Sequence, residues 1–159
     1  MMASIVAADQ GADVTLVEKL PFLGGSVLVS AAVFTTVDSE NLTDEDDSLD
    51  HALEFVRTVN ADSEHQPDYD FLASVLSQTG ATVDYMIDNL GLEATFSGGT
   101  YARSQFADGP TLADKLIQIM NEKGVQIILA TTAESIVMDG VDGDAAAGVA
   151  VSSEAGDYT

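Results

Sequence analysis

The sequence predicts an α/β fold, and three features near its start support that prediction. Residues 3–10 are mostly small and apolar, which indicates a helix, and Gly11 is placed to end it. The run Val14–Val17 then has the character of a short buried strand, and it stops at an acidic residue, Glu18. Helix, glycine turn, strand and terminal acid, in this order, form the second half of a βαβ dinucleotide-binding unit.

The acid at the end of that strand suits the binding of a nucleotide sugar. A carboxylate offers two oxygens to two neighbouring ribose hydroxyls, and charge-assisted hydrogen bonds are the stronger kind. The other half of the unit, a first strand with the phosphate-binding pattern G-x-G-x-x-G, is missing from these 159 residues. We therefore expect a partial, Rossmann-like domain over residues 1–159.

The rest of the chain alternates helical and strand patterns. Apolar residues recur at helical spacing in four segments, about residues 48–60, 68–78, 82–90 and 111–122. Gly80 is expected to separate the second helix from the third, and Thr111 to cap the fourth. Residues 125–130 form a near-continuous apolar run that is typical of a buried parallel strand. Two further strands are expected at 135–138 and 147–152, around an acidic turn.

Two segments leave more than one interpretation open. Residues 26–37 are apolar, small and β-branched, which suits either a buried strand or a segment lying against a flat ring or another backbone. Residues 97–110 indicate a glycine-rich loop that holds Arg103. This arginine would either clamp a phosphate or carboxylate group or form a surface ion pair.

The chain is strongly acidic, with 27 acidic and 5 basic residues and a net charge of −22. Nucleic acid and anionic membrane surfaces are therefore poor partners, because binding them requires clustered Lys and Arg. The acids form either a solvated surface or a surface that binds a partner. No apolar run approaches the roughly 18–20 residues of a membrane helix, and no signal peptide is visible. The compartment would be cytoplasmic if Met1 is the true start, and it is otherwise undetermined.

No metal site is expected. Seven acids lie between Asp38 and Asp50, but the spacing of a calcium-binding loop is not there, and a solvated loop explains the run better. Neither His51 nor His65 has a second ligand at metal spacing, and the chain contains no cysteine.

Several segments match one known family in order and spacing. The most specific is E-K-L-P-F-L-G-G-S at Glu18–Ser26. The others are T-V-D-Y-M-I-D-N-L-G-L, G-G-T-Y-A-R-S, N-E-K-G-V-Q-I and the strand pair that follows. Together they resemble the FAD-binding domain of the fumarate reductase/succinate dehydrogenase flavoprotein superfamily, over nearly the whole chain. The likeness is strongest to flavocytochrome c-type fumarate reductases, urocanate reductases and ketosteroid dehydrogenases.

The resemblance implies that nine residues contact FAD. They are Glu18, Lys19, Gly24, Gly25, Ser26, Val27, Ala31, Ala32 and Ala133. Glu18 would hold the adenosine ribose, with Lys19 beside it, and the two glycines would let the backbone turn close to the cofactor. The next pair, Ser26 and Val27, would line the flavin.

The resemblance also assigns roles to the last three residues and to the mode of attachment. The amides of Ala31 and Ala32 would approach the isoalloxazine ring, although the family usually has Gly where Ala32 and Val33 stand. The backbone of Ala133 would contact adenine. Ser26 stands where membrane-bound members attach FAD through a histidine, so the resemblance implies non-covalent FAD.

The implied activity is that of a flavin-dependent oxidoreductase. Reduced flavin would pass a hydride from N5 to an activated C=C of a small-molecule enoate, while an acid protonates the neighbouring carbon. The family's catalytic residues would follow Thr159, so we expect none within residues 1–159 and no activity from these residues alone. The electron donor is left open. Two alternatives remain: a non-enzymatic acidic interaction module with a relict Rossmann-like fold, and a NAD-binding oxidoreductase half.

Overall fold

The computed structural model describes residues 1–41, 48–96, 103–139, 145–154 and 156–158. Five helices are present in this part of the chain: α1 (Met2–Asp9), α2 (Leu49–Val59), α3 (Tyr69–Leu76), α4 (Thr79–Asp88) and α5 (Gly109–Glu122). The strands are β1 (Thr15–Val17), β2 (Val33–Thr35), β3 (Thr95–Phe96), β4 (Arg103–Gln105), β5 (Gln126–Ile128), β6 (Thr131–Asp139), β7 (Ala145–Ser153) and β8 (Gly156–Tyr158). This mixture of helices and strands confirms the α/β prediction.

The contacts divide the chain into two compact units. The first unit comprises Met1–Leu28 and Ala113–Thr159, and the second comprises Val29–Leu112. In the first unit, β1 pairs with β5 in parallel, and β6, β7 and β8 form an antiparallel sheet. In the second unit, β4 lies between β2 and β3 in an antiparallel sheet, and the unit also contains α2, α3 and α4.

The parallel strand expected at residues 125–130 is confirmed, but its burial is not. Leu16 of β1 lies opposite Ile127 of β5, and both are half-buried, whereas Ile128 remains 44% exposed. A parallel strand is buried when helices cover both faces and strands lie on both sides. Within the described residues this sheet has two strands, so an apolar sequence is left partly exposed.

The strand pair near the chain end is longer than the sequence pattern indicated. The predicted segments, 135–138 and 147–152, lie inside β6 and β7, and their pairing is antiparallel as expected. Most of the acidic turn between them lies outside the described residues. Strand β8 was not predicted from the sequence; it is three residues long and pairs with β7 through its backbone.

Helices α2 and α3 begin where side chains cap them. The Ser48 side chain accepts a hydrogen bond from the amide of His51, and that of Asp68 accepts one from Phe71. These caps satisfy amides that have no partner inside the helix. The apolar faces of the two helices meet in a core that includes Val37, which confirms the helical periodicity read from the sequence.

Two predicted helix boundaries are wrong. Gly80 does not break a helix but lies buried inside α4, where a Cβ atom would stand 2.1 Å from the carbonyl oxygen of Val37. The glycine therefore allows close approach of two backbones. Helix α5 begins at Gly109 and not at Thr111, because Asp108 Oδ1 accepts the Thr111 amide at 2.8 Å and so caps the helix.

The two ambiguous segments contain more regular structure than expected. Residues 26–37 form no single strand: a short 3-10 helix covers Gly25–Val29, and β2 follows. Residues 103–105, expected in a loop, form the central strand β4, where the buried Ser104 hydroxyl lies 2.6 Å from that of Thr36. Residues 97–102 lie outside the described part of the chain.

Neither a membrane helix nor a metal site is found in the part of the chain that the structure describes. No helix there is long and apolar enough to cross a bilayer. No group of three or more His, Cys, Asp or Glu side chains among the same residues could hold a metal ion.

Candidate functional site

Glu18 follows β1 directly, at the carboxyl end of the parallel pair, where open α/β sheets bind ligands. Its backbone is fixed on both sides: its N–H donates to Ile128 at 2.9 Å, and its carbonyl accepts the Thr131 amide at 3.0 Å. Carboxylate oxygen Oε1 accepts the Leu20 amide at 2.8 Å. Among the described residues, none donates to Oε2. One side of a half-buried, immobilised carboxylate therefore remains open to hydroxyl donors.

Lys19 lies next to this carboxylate and is exposed. Within the described residues, Lys123 forms an ion pair with Asp9, and Lys19 is not part of that pair. A cation at this position offsets part of the negative field that 27 acidic residues create.

Two consecutive glycines shape the turn that follows. Gly24 has a φ angle of 110° and Gly25 one of 47°, both in the region that glycine adopts without strain. The Gly24 carbonyl accepts the Val27 amide at 2.9 Å, which starts the 3-10 helix. A Cβ atom at Gly25 would meet no described residue within 4 Å apart from its two chain neighbours, so the described part of the chain leaves open space against the backbone here. The exposed Ser26 and half-buried Val27 come next. The backbone at this turn therefore leaves room for a ligand to pack closely against it.

Ala31 and Ala32 lie in the second unit and differ in what their amides do. Ala32 is 2% exposed, its φ angle is 50°, and its N–H donates to Ser30 Oγ at 3.2 Å. Its carbonyl accepts the Phe106 amide at 3.1 Å. Ala31 is exposed, and its N–H has no partner among the described residues. Of the two amides expected to face a ring, only that of Ala31 is available in this conformation.

Ala133 is exposed on β6, in the first unit. It pairs with Val151 of β7, and the register shifts between Ala133 and Ser135. It lies two residues beyond Thr131, whose amide binds the Glu18 carbonyl. Ala133 thus lies on a strand that starts beside Glu18, although the two residues are far apart in sequence.

The residues that hold these groups in place were not predicted from the sequence. Thr131 binds the Glu18 backbone, and Ser30 and Gln105 bind the backbone of Ala31 and Ala32. No periodicity or motif marks them, because each acts on a backbone group. Arg103, considered from the sequence as an anion clamp, is half-buried in the central strand β4.

A second carboxylate, Asp84 on α4, is satisfied in a different way. It accepts hydrogen bonds from the Ser39 hydroxyl at 2.6 Å, the Glu40 amide at 2.8 Å, and the backbone and side-chain amides of Asn41 at 3.2 and 3.1 Å. Partial burial raises the pKa of Asp84, but these hydrogen bonds together hold that pKa below its usual value. Both of its oxygens are used inside the protein.

A comparison with protein families identifies the family of the chain. A family model described as FAD dependent oxidoreductase matches residues 1–159. No curated protein sequence matches the chain.

Several solved structures share the fold. The 3-ketosteroid-delta4-(5alpha)-dehydrogenase from Rhodococcus jostii RHA1 aligns with a TM-score of 0.73 and 16% identity, over 98% of this chain and 40% of that one. The 3-ketosteroid delta1-dehydrogenase from Sterolibacterium denitrificans aligns with a TM-score of 0.75 and 16% identity, over 98% and 43%. A flavocytochrome c3 fumarate reductase in an open conformation aligns with a TM-score of 0.72 and 22% identity, over 98% and 29%. The chain therefore spans less than half the length of these structures.

Proposed function

The chain belongs to the family of FAD dependent oxidoreductases, and from that premise we propose that residues 1–159 are an FAD-binding part of an oxidoreductase that resembles fumarate reductase. The observation that carries this proposal is Glu18. Its backbone and one carboxylate oxygen are fixed by three hydrogen bonds at the carboxyl end of a parallel pair, and no described residue donates to its second oxygen. A ribose offers the hydroxyl donors that this oxygen lacks.

The chain's own residues would bind and orient the cofactor. Glu18 would accept hydrogen bonds from the adenosine ribose, and the open space at Gly25 would let the backbone lie close to the cofactor. Val27 and Ala31 would line the flavin, and the Ala133 backbone would contact adenine. When bound, FAD supplies hydride transfer at its N5 atom, and the protein positions it.

We propose a small molecule with an activated C=C as the substrate, either a dicarboxylate or another enoate. Two of the similar structures are complexes with 4-androstene-3,17-dione and 1,4-androstadiene-3,17-dione, and the third is a fumarate reductase. These names support the reaction class and leave the individual substrate to be measured.

The FAD would be held without a covalent bond. The chain has no cysteine, and the residue that stands after the two glycines, Ser26, has a hydroxyl group that is a weak nucleophile at neutral pH. Precipitating the FAD-loaded protein with acid should release all flavin into the supernatant. Flavin remaining in the washed pellet would contradict non-covalent binding.

Titration with FAD and with NAD tests the cofactor proposal directly. Flavin fluorescence and calorimetry should show FAD binding to the 159-residue chain and weaker or no NAD binding. Glu18→Gln should weaken FAD binding about 10–100-fold, because hydrogen bonds to a charged group contribute about 1.5–3 kcal/mol.

The matched control for this titration is Glu93→Gln, which changes an exposed carboxylate in the second unit and should leave FAD affinity unchanged. Binding of NAD alone would favour a NAD-dependent oxidoreductase. Binding of neither cofactor would favour an acidic interaction module.

We also propose that residues 1–159 catalyse no reduction by themselves. The chain spans 29–43% of the three structures compared above, which supports placing the proton donor and the substrate-binding residues outside it. A fumarate reduction assay with reduced dye and added FAD should give no turnover. Turnover above a control without protein would refute this part of the proposal.

A further inference from the structure

A set of hydrogen bonds joins residues Ser30–Ala32 to residues Gln105–Gly109, and we call this arrangement the clasp. Two backbone bonds span it: Phe106 donates to the Ala32 carbonyl at 3.1 Å, and Gly109 donates to the Ser30 carbonyl at 3.2 Å. They continue the pairing of β2 with β4 beyond the ends of both strands. The clasp lies entirely within the second unit.

Each side of the clasp contains an alanine in the left-handed region. The φ angle is 50° at Ala32 and 46° at Ala107. This conformation is unfavourable for any residue with a Cβ atom, so it persists only where surrounding contacts hold it. Two such alanines in one small structure indicate that its hydrogen bonds impose the backbone geometry.

Gln105 is the side chain that spans the clasp. Its Nε2 atom donates to the Ala107 carbonyl at 3.1 Å and, over a longer distance of 3.4 Å, to the Ala31 carbonyl. The residue is half-buried and lies opposite Val33 in the strand register. The side-chain amide of Gln105 therefore links the carbonyl of the exposed Ala31 to the carbonyl of Ala107, whose backbone is left-handed.

We propose that Gln105 is a positioning residue that, through the clasp, holds the Ala31 N–H outward as a donor to the flavin ring. The inference rests on the proposed function, since it needs FAD to bind. The Ala32 N–H is committed to Ser30 Oγ, whereas the Ala31 N–H has no acceptor among the described residues. A fixed N–H at the ring stabilises the negative charge that reduction places there.

The first measurement needs no cofactor. Gln105→Met removes the donor and keeps a side chain of similar length, so amide hydrogen exchange at Ala32 and Phe106 should become about 3–10-fold faster. Gln105→Lys retains a donor and should restore most of the protection. The control Gln118→Met removes a glutamine that donates to Glu122 on α5 and should leave both rates unchanged. Unchanged rates in Gln105→Met would overturn the inference.

The second measurement is an FAD titration followed by ¹H–¹⁵N NMR. In the unchanged chain, the amides of Glu18 and Leu20 should shift, which reports on the adenosine side, and the Ala31 amide should shift as well. In Gln105→Met, the Glu18 shift should remain, while the Ala31 shift should fall by more than about half, because the N–H is no longer fixed.

The two proposals fail in distinguishable ways. If Glu18 shifts while Ala31 does not, or if Ala31 shifts equally in Gln105→Met, FAD binding stands and the positioning role of Gln105 is wrong. If no amide shifts, both FAD binding by this chain and the positioning role are wrong, whatever the exchange rates show about the clasp.

Discussion

Two half-buried carboxylates in this protein are held in opposite ways. Asp84 accepts four hydrogen bonds from residues 39–41, and both of its oxygens are occupied. Glu18 accepts one, from Leu20, and the described residues leave its second oxygen open. Burying part of a carboxylate is costly unless it is hydrogen-bonded. Asp84 meets that requirement within the fold, whereas Glu18 meets half of it, which is the expected state of a ligand-binding group.

The backbone segments near the two carboxylates differ in the same way, because one is held by neighbouring residues and the other is open. Residues 37–41 are fastened to α4, because the Val37 amide donates to Thr79 Oγ1 at 3.1 Å and Gly80 packs directly against the Val37 carbonyl. At Gly25, by contrast, no described residue other than its two chain neighbours lies within 4 Å of the Cβ position. The comparison teaches that local satisfaction of polar groups distinguishes a structural attachment from a candidate binding surface. It also predicts which substitutions affect stability and which affect binding.

The largest expected effect is from Gly80→Ala. The added Cβ would lie 2.1 Å from a backbone oxygen, so α4 or residues 37–38 must move. We expect a loss of about 3 kcal/mol in the free energy of unfolding, measured by urea denaturation. Gly148→Ala is the control, because a Cβ there meets nothing within 4 Å, and it should change stability by less than about 0.5 kcal/mol. Equal effects in the two variants would contradict the close packing of α4.

Asp84→Asn should have the next largest effect. The Asn amide keeps the shape of the Asp side chain, but it removes the negative charge. It also places an NH2 group where Ser39, Glu40 and Asn41 need an acceptor. We expect a loss of about 1–2 kcal/mol, towards the lower end of the range for charged hydrogen bonds because the group is partly solvated. Asp88→Asn, which alters a single hydrogen bond from Asn41, should lower the free energy of unfolding by a smaller amount. The comparison of Asp84 with Glu18 fails if Asp84→Asn is as stable as the unchanged chain.

The pH dependence of stability follows from the lowered pKa of Asp84. A carboxyl group whose pKa is lower in the folded state stabilises the fold above its unfolded pKa, and this contribution is lost as pH falls through the folded value. The stability difference between the unchanged chain and Asp84→Asn should therefore be constant above the usual value of 3.8 and shrink below it. Urea denaturation at several pH values below 5 measures this difference. If the stability difference instead grew as the pH falls, the pKa of Asp84 would be raised in the folded state and not lowered.

Glu18→Gln should have the smallest effect on stability. The Gln side chain retains an oxygen that can accept the Leu20 amide, so the free energy of unfolding should change by less than about 0.5 kcal/mol. The same variant should weaken FAD binding, as stated above. Loss of stability as large as that of Asp84→Asn would show that Glu18 is a structural carboxylate and would remove the main support for the binding site.

Local interactions explain which parts of the fold the sequence predicted well. Helices α2 and α3 were predicted to within a few residues because capping and apolar periodicity act over about four residues. The helix, strand and acid at the chain start were recognised for the same reason, since the motif is contiguous. The hairpin of β6 and β7 also follows from neighbouring segments.

The failures involve partners that are distant in sequence. Gly80 lies against Val37, and Ser104 binds Thr36, across separations of about forty and seventy residues. Strand β4 has little strand pattern of its own and exists because β2 and β3 pair with it on both sides. No local pattern records such contacts, so a glycine indicated a helix break and a central strand indicated a loop.

The amino-acid sequence by itself determined the fold class and the FAD dependent oxidoreductase family, because these depend on contiguous motifs. The nine candidate cofactor residues follow from the family resemblance and stay a prediction. The tertiary structure decided what each group can still do. Among the described residues it left one oxygen of Glu18 without a donor, committed the Ala32 amide to Ser30, and linked Gln105 to the Ala31 carbonyl. Hydrogen bonds are short-ranged and directional, so which donors and acceptors remain for a ligand is settled only when distant segments have come together.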